Sequence, residues 1–544
     1  MPLAALRRPL LLVPFALLAA GSASAQSRQP PPERVAREVS SAALQAHLGF
    51  LADDALEGRR TGTHGAAVAA RYIAAQFQRL GLQPAGDSGT YFHRIPLVVR
   101  RPDPILRASG EAAGALRWLD DYVLVPRLAD SVADVSGEVV FAGYGIVAPN
   151  RGWDDYKQTD VRGKVVLVLP GDPDSTIFDR RMGRPWSSVR EKVEVAARRG
   201  AAGLLVLHGA GAPPWDAVRA LGDERLGLVY DDGLAYWGWI RDSAAAPLVA
   251  AGGRSLPELA AAAAWRDFTP VTLPFRLDAT LRATVSPVSA VNVLAKLPGR
   301  GPHAGESVLL GAHYDHEGIG PPEDGDSIYN GAEDNASGTA AVLGAAEAFA
   351  RSGVRPERTV VFAAFVAEEE GLLGSEALVL APPEAMGRVV GMVNGDYLNL
   401  YGRTRDIGTV GNELSSLGAT LEVAARAESL TVRVDPDDVR RARFFRSDNY
   451  PFARAGIPAV RIVNGVDYVG RPPEWGREQR ERYWTERYHQ PDDELAEWMS
   501  VDGLVQQARV AARILMRLAD APAAPAWAAS ADFAPASPRE EASR

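Results

Sequence analysis

The sequence predicts an α/β fold: a mostly parallel central sheet with helices on both faces, interrupted by a smaller mixed α/β domain. Three observations carry this prediction. After residue 286, short apolar runs ending in polar residues alternate with helical patterns. Between residues 129 and 286, a separate block of short strands is punctuated by turn residues. The composition, 47% hydrophobic and 23% charged over 544 residues, is globular and sufficient for two or three domains.

The elements follow in chain order. Arg7 and Arg8, the apolar run Leu10 to Ala20 and the small residues Ala23-Ser24-Ala25 have the layout of a secretory signal, so residues 1–25 are expected to be cut off near Ala25. That predicts a secreted or periplasmic protein. Residues 26–40 are polar and proline-rich and read as a linker. Helical periodicity covers Ser41 to Leu51 and Ala66 to Leu80, with Ala70, Ile73, Phe77 and Leu80 on one face. The loop LEGRRTGTHG lies between them. GEVVFAGYGI, GKVVLVL and AAGLLVLHG then read as buried strands, with a helix over Val189 to Arg199 before the last. The larger domain, residues 41–128, resumes at 287 and runs to 519. Its strands are SVLLGAHYD, TVVFAAFVA, RVVGMVNGDYLNL and IPAVRIV, and an alanine-rich helix spans Ser337 to Phe349. Residues 520–544 have the composition of a disordered tail, in which Trp527 and Phe533 are the residues able to dock.

Composition excludes several classes of function. The chain has no cysteine, so disulfides, thiolate metal sites and a cysteine nucleophile are absent. Net charge is −9 with dispersed Lys and Arg, which argues against a nucleic-acid surface. No apolar stretch after the signal approaches the roughly 18 to 20 residues of a membrane span, so no stable membrane insertion is expected.

Chemistry gathers at predicted strand ends, where sites form in sheets of this kind. His313 closes the first strand and Asp315 lies two residues on. Asp334 leads into the alanine-rich helix, Glu368 and Glu369 close the second strand, Asp396 closes the third, and His489 sits in the loop YHQPDDE. Without thiolates, a zinc site must use imidazoles and carboxylates. His313, Asp334, Glu369, Asp396 and His489 form such a set. Two ions roughly 3.5 to 4 Å apart favour a bridging carboxylate, and Asp334 is the natural bridge. His313 with Asp396 would complete one ion, and His489 with Glu369 the other. Glu368, adjacent to Glu369, can point away from the metals and act as general base. Asp315 is placed to accept the other ring N–H of His313. His316 and His303 read as non-ligands. Ser447 and Asp448 lack a Gly-x-Ser-x-Gly elbow, which argues against a serine hydrolase.

GAHYDH, YNGAEDNASGTAAVL, FVAEEEGLLGS, NGDYLNLYG and YHQPDDE together resemble the family-28 co-catalytic zinc metallopeptidases, which include secreted bacterial aminopeptidases. LEGRRTGTHG with AARYIAAQFQRLGLQPAG is similar to the start of their catalytic domain, and GEVVFAGYGI to LVLHG resembles their inserted protease-associated domain. The resemblance implies a zinc-exopeptidase fold, peptide substrates, two Zn2+ per chain on the five residues above, Asp334 as bridge and Glu368 as base. It further implies a cis peptide between Asp334 and Asn335 and an oxyanion-binding role for Tyr488. Asn449 departs from the family's Ser-Asp-His pattern at a position that is not a ligand. Aminopeptidase is the favoured activity; the competing expectations are a carboxypeptidase or dipeptidase of the same fold, a one-zinc acyl-transfer cyclase and a non-catalytic receptor-like homologue. These motifs do not encode an oligomeric state.

Overall fold

Two strands of unbroken apolar character organise the first body. SVLLGAH and TVVFAAF are buried on both faces, which requires helices above and below the sheet. The computed structural model describes residues 30–110, 114–173, 177–178, 185–230, 232–529 and 531–533. The predicted signal, residues 1–25, lies outside them.

The sheet of this body contains β1 (Gln83–Pro84), β2 (Phe92–Arg94), β3 (Val291–Leu297), β4 (Glu306–His313), β5 (Thr359–Phe365), β6 (Arg388–Gly395), β7 (Asp406–Val410), β8 (Thr431–Val434) and β9 (Ala459–Val463). Its order is β1-β3-β5-β4-β6-β9-β7-β8, with β2 also paired to β3. The centre, β5-β4-β6-β9, is parallel. Antiparallel pairings join β3 to β5 and β7 to β9. Alternation divides the side chains between two cores. Val308, Leu310, Phe362 and Ala364 pack with helices Ser41–Leu51, His64–Arg79, Ser337–Ser352 and Asp502–Ala519. Leu309, Val361 and Phe365 pack on the other side with Leu378 of Leu373–Leu380 and Phe452 of Asn449–Arg454. No helix among the described residues is long and apolar enough to cross a membrane.

The second body has its own ten-stranded sheet. Parallel strands at 132–141, 165–168, 203–208 and 236–241 form one side, and the long strand Val271–Val288 pairs antiparallel with 132–141, 97–102 and 105–110. Its two faces are covered separately, one by the helices Asp242–Ala250 and Leu256–Ala263, the other by Val189–Arg198 and Trp215–Arg219.

Three expected boundaries are corrected. The second sheet begins at Leu97, so residues 97–128, expected in the catalytic body, run in the inserted one. The reason is the strand Val271–Val288, whose length gives these earlier strands an edge to pair with. The expected linker is helical over Pro31–Arg37: prolines in its first turn are compatible with a helix, Val35 and Ala36 are buried, and Glu33 pairs with Arg513 at 2.9 Å. The expected disordered tail is docked as far as residue 533: Trp527 Nε1 donates to the Gly456 carbonyl at 2.9 Å, Asp532 pairs with Arg151 at 2.9 Å, and Phe533 lies 5.6 Å from Phe444 between ring centres. Residues 534–544 lie outside the described residues.

Candidate metal centre

The parallel strands β5, β4 and β6 are adjacent and point the same way, so their carboxyl ends sit side by side. His313 is the last residue of β4 and Asp396 follows β6 directly. Beyond β5, Ala367 adopts φ 58°, turning the chain so that Glu368 and Glu369 face different directions. Asp334 lies in the short π-turn Ala332–Ala336 that enters helix Ser337–Ser352, and the Asp334–Asn335 peptide is cis. Gly338 allows this helix to approach β6: a Cβ there would lie 2.4 Å from the Gly395 carbonyl oxygen. His489 arrives on the loop after Tyr483–Arg487.

Asp334 stands between the two histidines. Its Oδ1 lies 3.2 Å from His313 Nε2, and its Oδ2 lies 3.5 Å from His489 Nε2. His313 Nε2 is also 3.4 Å from Asp396 Oδ1, and His489 Nε2 is 3.2 Å from Glu369 Oε2. Tetrahedral ligands at 2.0 to 2.1 Å from a zinc ion are separated by about 3.3 Å along each edge. The four distances fall around that length. His489 Nε2 is also buried with no hydrogen-bond partner in the described structure, so the donor set fits divalent cations. Glu368 is grouped with His313 and Asp396, and burial holds its carboxyl well above the usual range.

Two expectations about neighbouring residues change. The Asp315 carboxylate lies 3.9 Å from His313 Nδ1, too far for a hydrogen bond; the ring nitrogen faces the Asp315 main-chain carbonyl at 3.2 Å instead. The carboxylate points toward the β5 loop, where it accepts from the Glu368 N–H at 3.3 Å and the Thr61 hydroxyl at 3.1 Å. A side chain two residues past a strand end is turned by the loop, which strand spacing does not describe. His316, read as a non-ligand, joins the cluster: its Nδ1 is 2.8 Å from Glu369 Oε1, and its ring is buried. Tyr488 lines a cavity together with Asp334, Glu368, Glu369, Asp396 and His489, and stacks on His489 at 3.8 Å. Asn449 is buried and donates to the Phe444 carbonyl at 2.9 Å, so it supports the loop 443–446 from behind.

Three supporting residues were not singled out from sequence. Asp493 accepts from the N–H groups of Glu333 and Asp334 at 2.9 and 3.0 Å, fixing the backbone that presents the bridge. Its signal was present in YHQPDDE. Arg461 pairs with Asp396 Oδ2 at 2.9 Å, leaving Oδ1 for His313. Its signal was an arginine inside the apolar strand AVRIV. Arg59, fully buried in the LEGRR loop, donates to the carbonyls of Tyr314, Asn330 and Gly331 at 2.7, 2.6 and 3.0 Å, tying together the loops after β4 and before the bridge. Burial lowers its guanidinium to about 10, opposed by the nearby Asp315 and Asp493 carboxylates.

With this geometry in place, similarity to known proteins can be weighed. Residues 292–515, which contain β4, β5, β6 and every proposed ligand, match the model of Peptidase family M28. This segment is a domain of peptidase family M28. Residues 135–226 match the PA domain, inside the second body. A "Probable zinc metalloprotease" of Pyrenophora tritici-repentis is 30% identical over 275 residues, 44% of this chain and 59% of that protein. "Leupeptin-inactivating enzyme 1" of Streptomyces exfoliatus is 30% identical over 227 residues, 39% of this chain and 45% of that protein. The chain thus spans about half the length of these curated relatives. Among solved structures, an aminopeptidase from Aneurinibacillus sp. strain AM-1 is 19% identical, with 91% of this chain and 97% of that one covered and a TM-score of 0.42.

Proposed function

We propose that this protein is a two-zinc exopeptidase, an aminopeptidase that removes N-terminal residues from peptides. The observation that carries the reading is the position of Asp334, one oxygen toward His313 and the other toward His489. The relatives named for zinc proteolysis, and "Leucine aminopeptidase 1" of P. tritici-repentis at 25% identity over 45% of this chain and 59% of that protein, support the same direction. In this reading His313 and Asp396 hold one ion, His489 and Glu369 the other, and Asp334 both. Bound ions would polarise the scissile carbonyl and lower the pKa of the attacking water.

The remaining steps belong to the chain. Glu368 takes the proton of the attacking water and returns it to the leaving amine, roles suited to a buried carboxylate beside His313 and Asp396. Asp315 orients Glu368 through its backbone N–H. Tyr488 donates to the oxygen on which negative charge develops. The same proposal includes export with cleavage near Ala25, checked by N-terminal sequencing of the exported protein. The decisive assay compares free-amine and N-acetylated peptides with and without chelator. Chelator-sensitive release of the first residue from free-amine peptides only is expected. Equal cleavage of capped peptides would remove the aminopeptidase assignment, and turnover unaffected by full metal removal would remove the metal mechanism.

A further inference from the structure

The cavity beside Glu368, about 320 Å3, is rich in arginine. Arg190, Arg443, Arg446 and Arg461 all contribute to its walls. Three of them are already neutralised. Arg461 pairs with Asp396 at 2.9 Å, Arg443 with Asp438 at 3.0 Å, and Arg190 with Glu376. Arg446 is different: it is exposed, and among the described residues its guanidinium has no carboxylate or carbonyl partner. Its loop is nevertheless held in place. Phe444 and Phe445 on its N-terminal side pack against Phe533 at 5.6 and 6.3 Å, and Asn449 donates to the Phe444 carbonyl. The backbone that carries the cation is therefore anchored, and its charge is available.

Among the cavity's arginines, Arg461 is the one that pairs with a proposed ligand, Asp396. A second cavity of about 710 Å3 shares Arg443 and Trp484 with the first. Of its carboxylates, Asp435, Asp437 and Asp438 each pair with an arginine; Glu481, Arg441 and Arg477 have no ion pair among the described residues, which leaves the cations in excess. The positive field of Arg446 thus continues along this groove rather than ending at the cavity wall.

We infer that Arg446 is a substrate-binding residue that selects peptides carrying a carboxylate next to the scissile bond. This rests on the peptidase reading above and narrows its substrate class. The carboxylate can belong to an acidic side chain or to the free C-terminus of a very short peptide; both present the same bidentate partner to a guanidinium.

The test uses the full-length zinc-loaded protein and its Arg446→Gln and Arg446→Glu variants, each checked for an unchanged melting temperature. One arm measures kcat/KM for C-terminally amidated dipeptides with Leu, Glu or Lys on either side of the bond. A second arm compares Leu-Leu with Leu-Leu-amide. In the arm that supplies the recognised carboxylate, the acidic-to-neutral ratio should fall about five- to tenfold in Arg446→Gln, and Arg446→Glu should shift preference toward lysine. A third arm measures glutarate binding by calorimetry to the wild type and to Arg446→Gln, with the dissociation constant expected to rise by a similar factor. If the peptides are not cleaved at all, the peptidase reading fails while the glutarate arm still decides the role of Arg446. Ratios and glutarate affinity that are the same with and without the arginine overturn the inference.

Discussion

The two halves of the proposed centre are built differently. The half around His313 is sealed: the imidazole is 1% exposed, Asp396 is 6% exposed, and the partners are Arg461, the Ser447 hydroxyl and the Asp315 main-chain carbonyl. The half around His489 opens to solvent: the imidazole is 28% exposed, sits on a loop at φ 56°, and has Glu317, 37% exposed, on its other nitrogen. Asp334 belongs to both. One half is therefore part of the fold's core, and the other is a loop that must be held in place by its contacts. Buried ligands cannot exchange a cation without local opening, whereas an exposed imidazole can swing away. The ion held by His489 and Glu369 should be the more labile.

The largest expected effect lies between the halves, at the group both ions would serve. Glu368→Gln should lower kcat by about 10² to 10⁴-fold with zinc content unchanged, measured by steady-state kinetics and elemental analysis. Near-normal turnover would refute the assigned base. Next, Arg461→Met should destabilise the protein by about 3 kcal/mol, because Asp396 would be left buried without its partner. The equivalent change on the open side, Glu317→Gln, should cost less than about 1 kcal/mol. Denaturant melts of both variants measure the contrast, and equal losses would erase the distinction drawn here. Stepwise chelation should then remove one zinc well before the second, and His489→Ala should purify with one equivalent while His313→Ala loses stability as well. Simultaneous loss of both ions would contradict the asymmetry. Tyr488→Phe should give a smaller loss of turnover than Glu368→Gln, about 10²-fold in kcat with KM little changed.

Much of the centre was readable because it sits where a parallel sheet ends. His313, Glu368, Glu369 and Asp396 follow apolar runs, and adjacent parallel strands necessarily bring those ends together. His489 was readable only through its motif, since nothing in its local pattern says that a loop some 90 residues later returns to the sheet. Arg59 was hidden for a different reason. Its contacts are with main-chain carbonyls, which carry no side-chain signature, and the residues concerned lie more than 250 positions away. The boundary of the second body was misread because Val271–Val288 is long enough to recruit strands from before the expected junction. The contact of His316 with Glu369 was not legible, because only the fold brings a histidine past one strand end to a glutamate past another.

The last described residues have a consequence for motion between the bodies. Trp527 and Phe533 rest on the first body, while Asp532 between them grips Arg151 of the second. This C-terminal segment thereby adds a clasp between the bodies, beside the crossings near Leu97 and Val288 and the side-chain pairs of Arg190 with Glu376 and Arg454 with Glu194. A protease nick at about Ala521 would loosen that clasp, release the phenylalanine seat under the arginine-bearing loop and leave the two bodies joined by the crossings and those pairs.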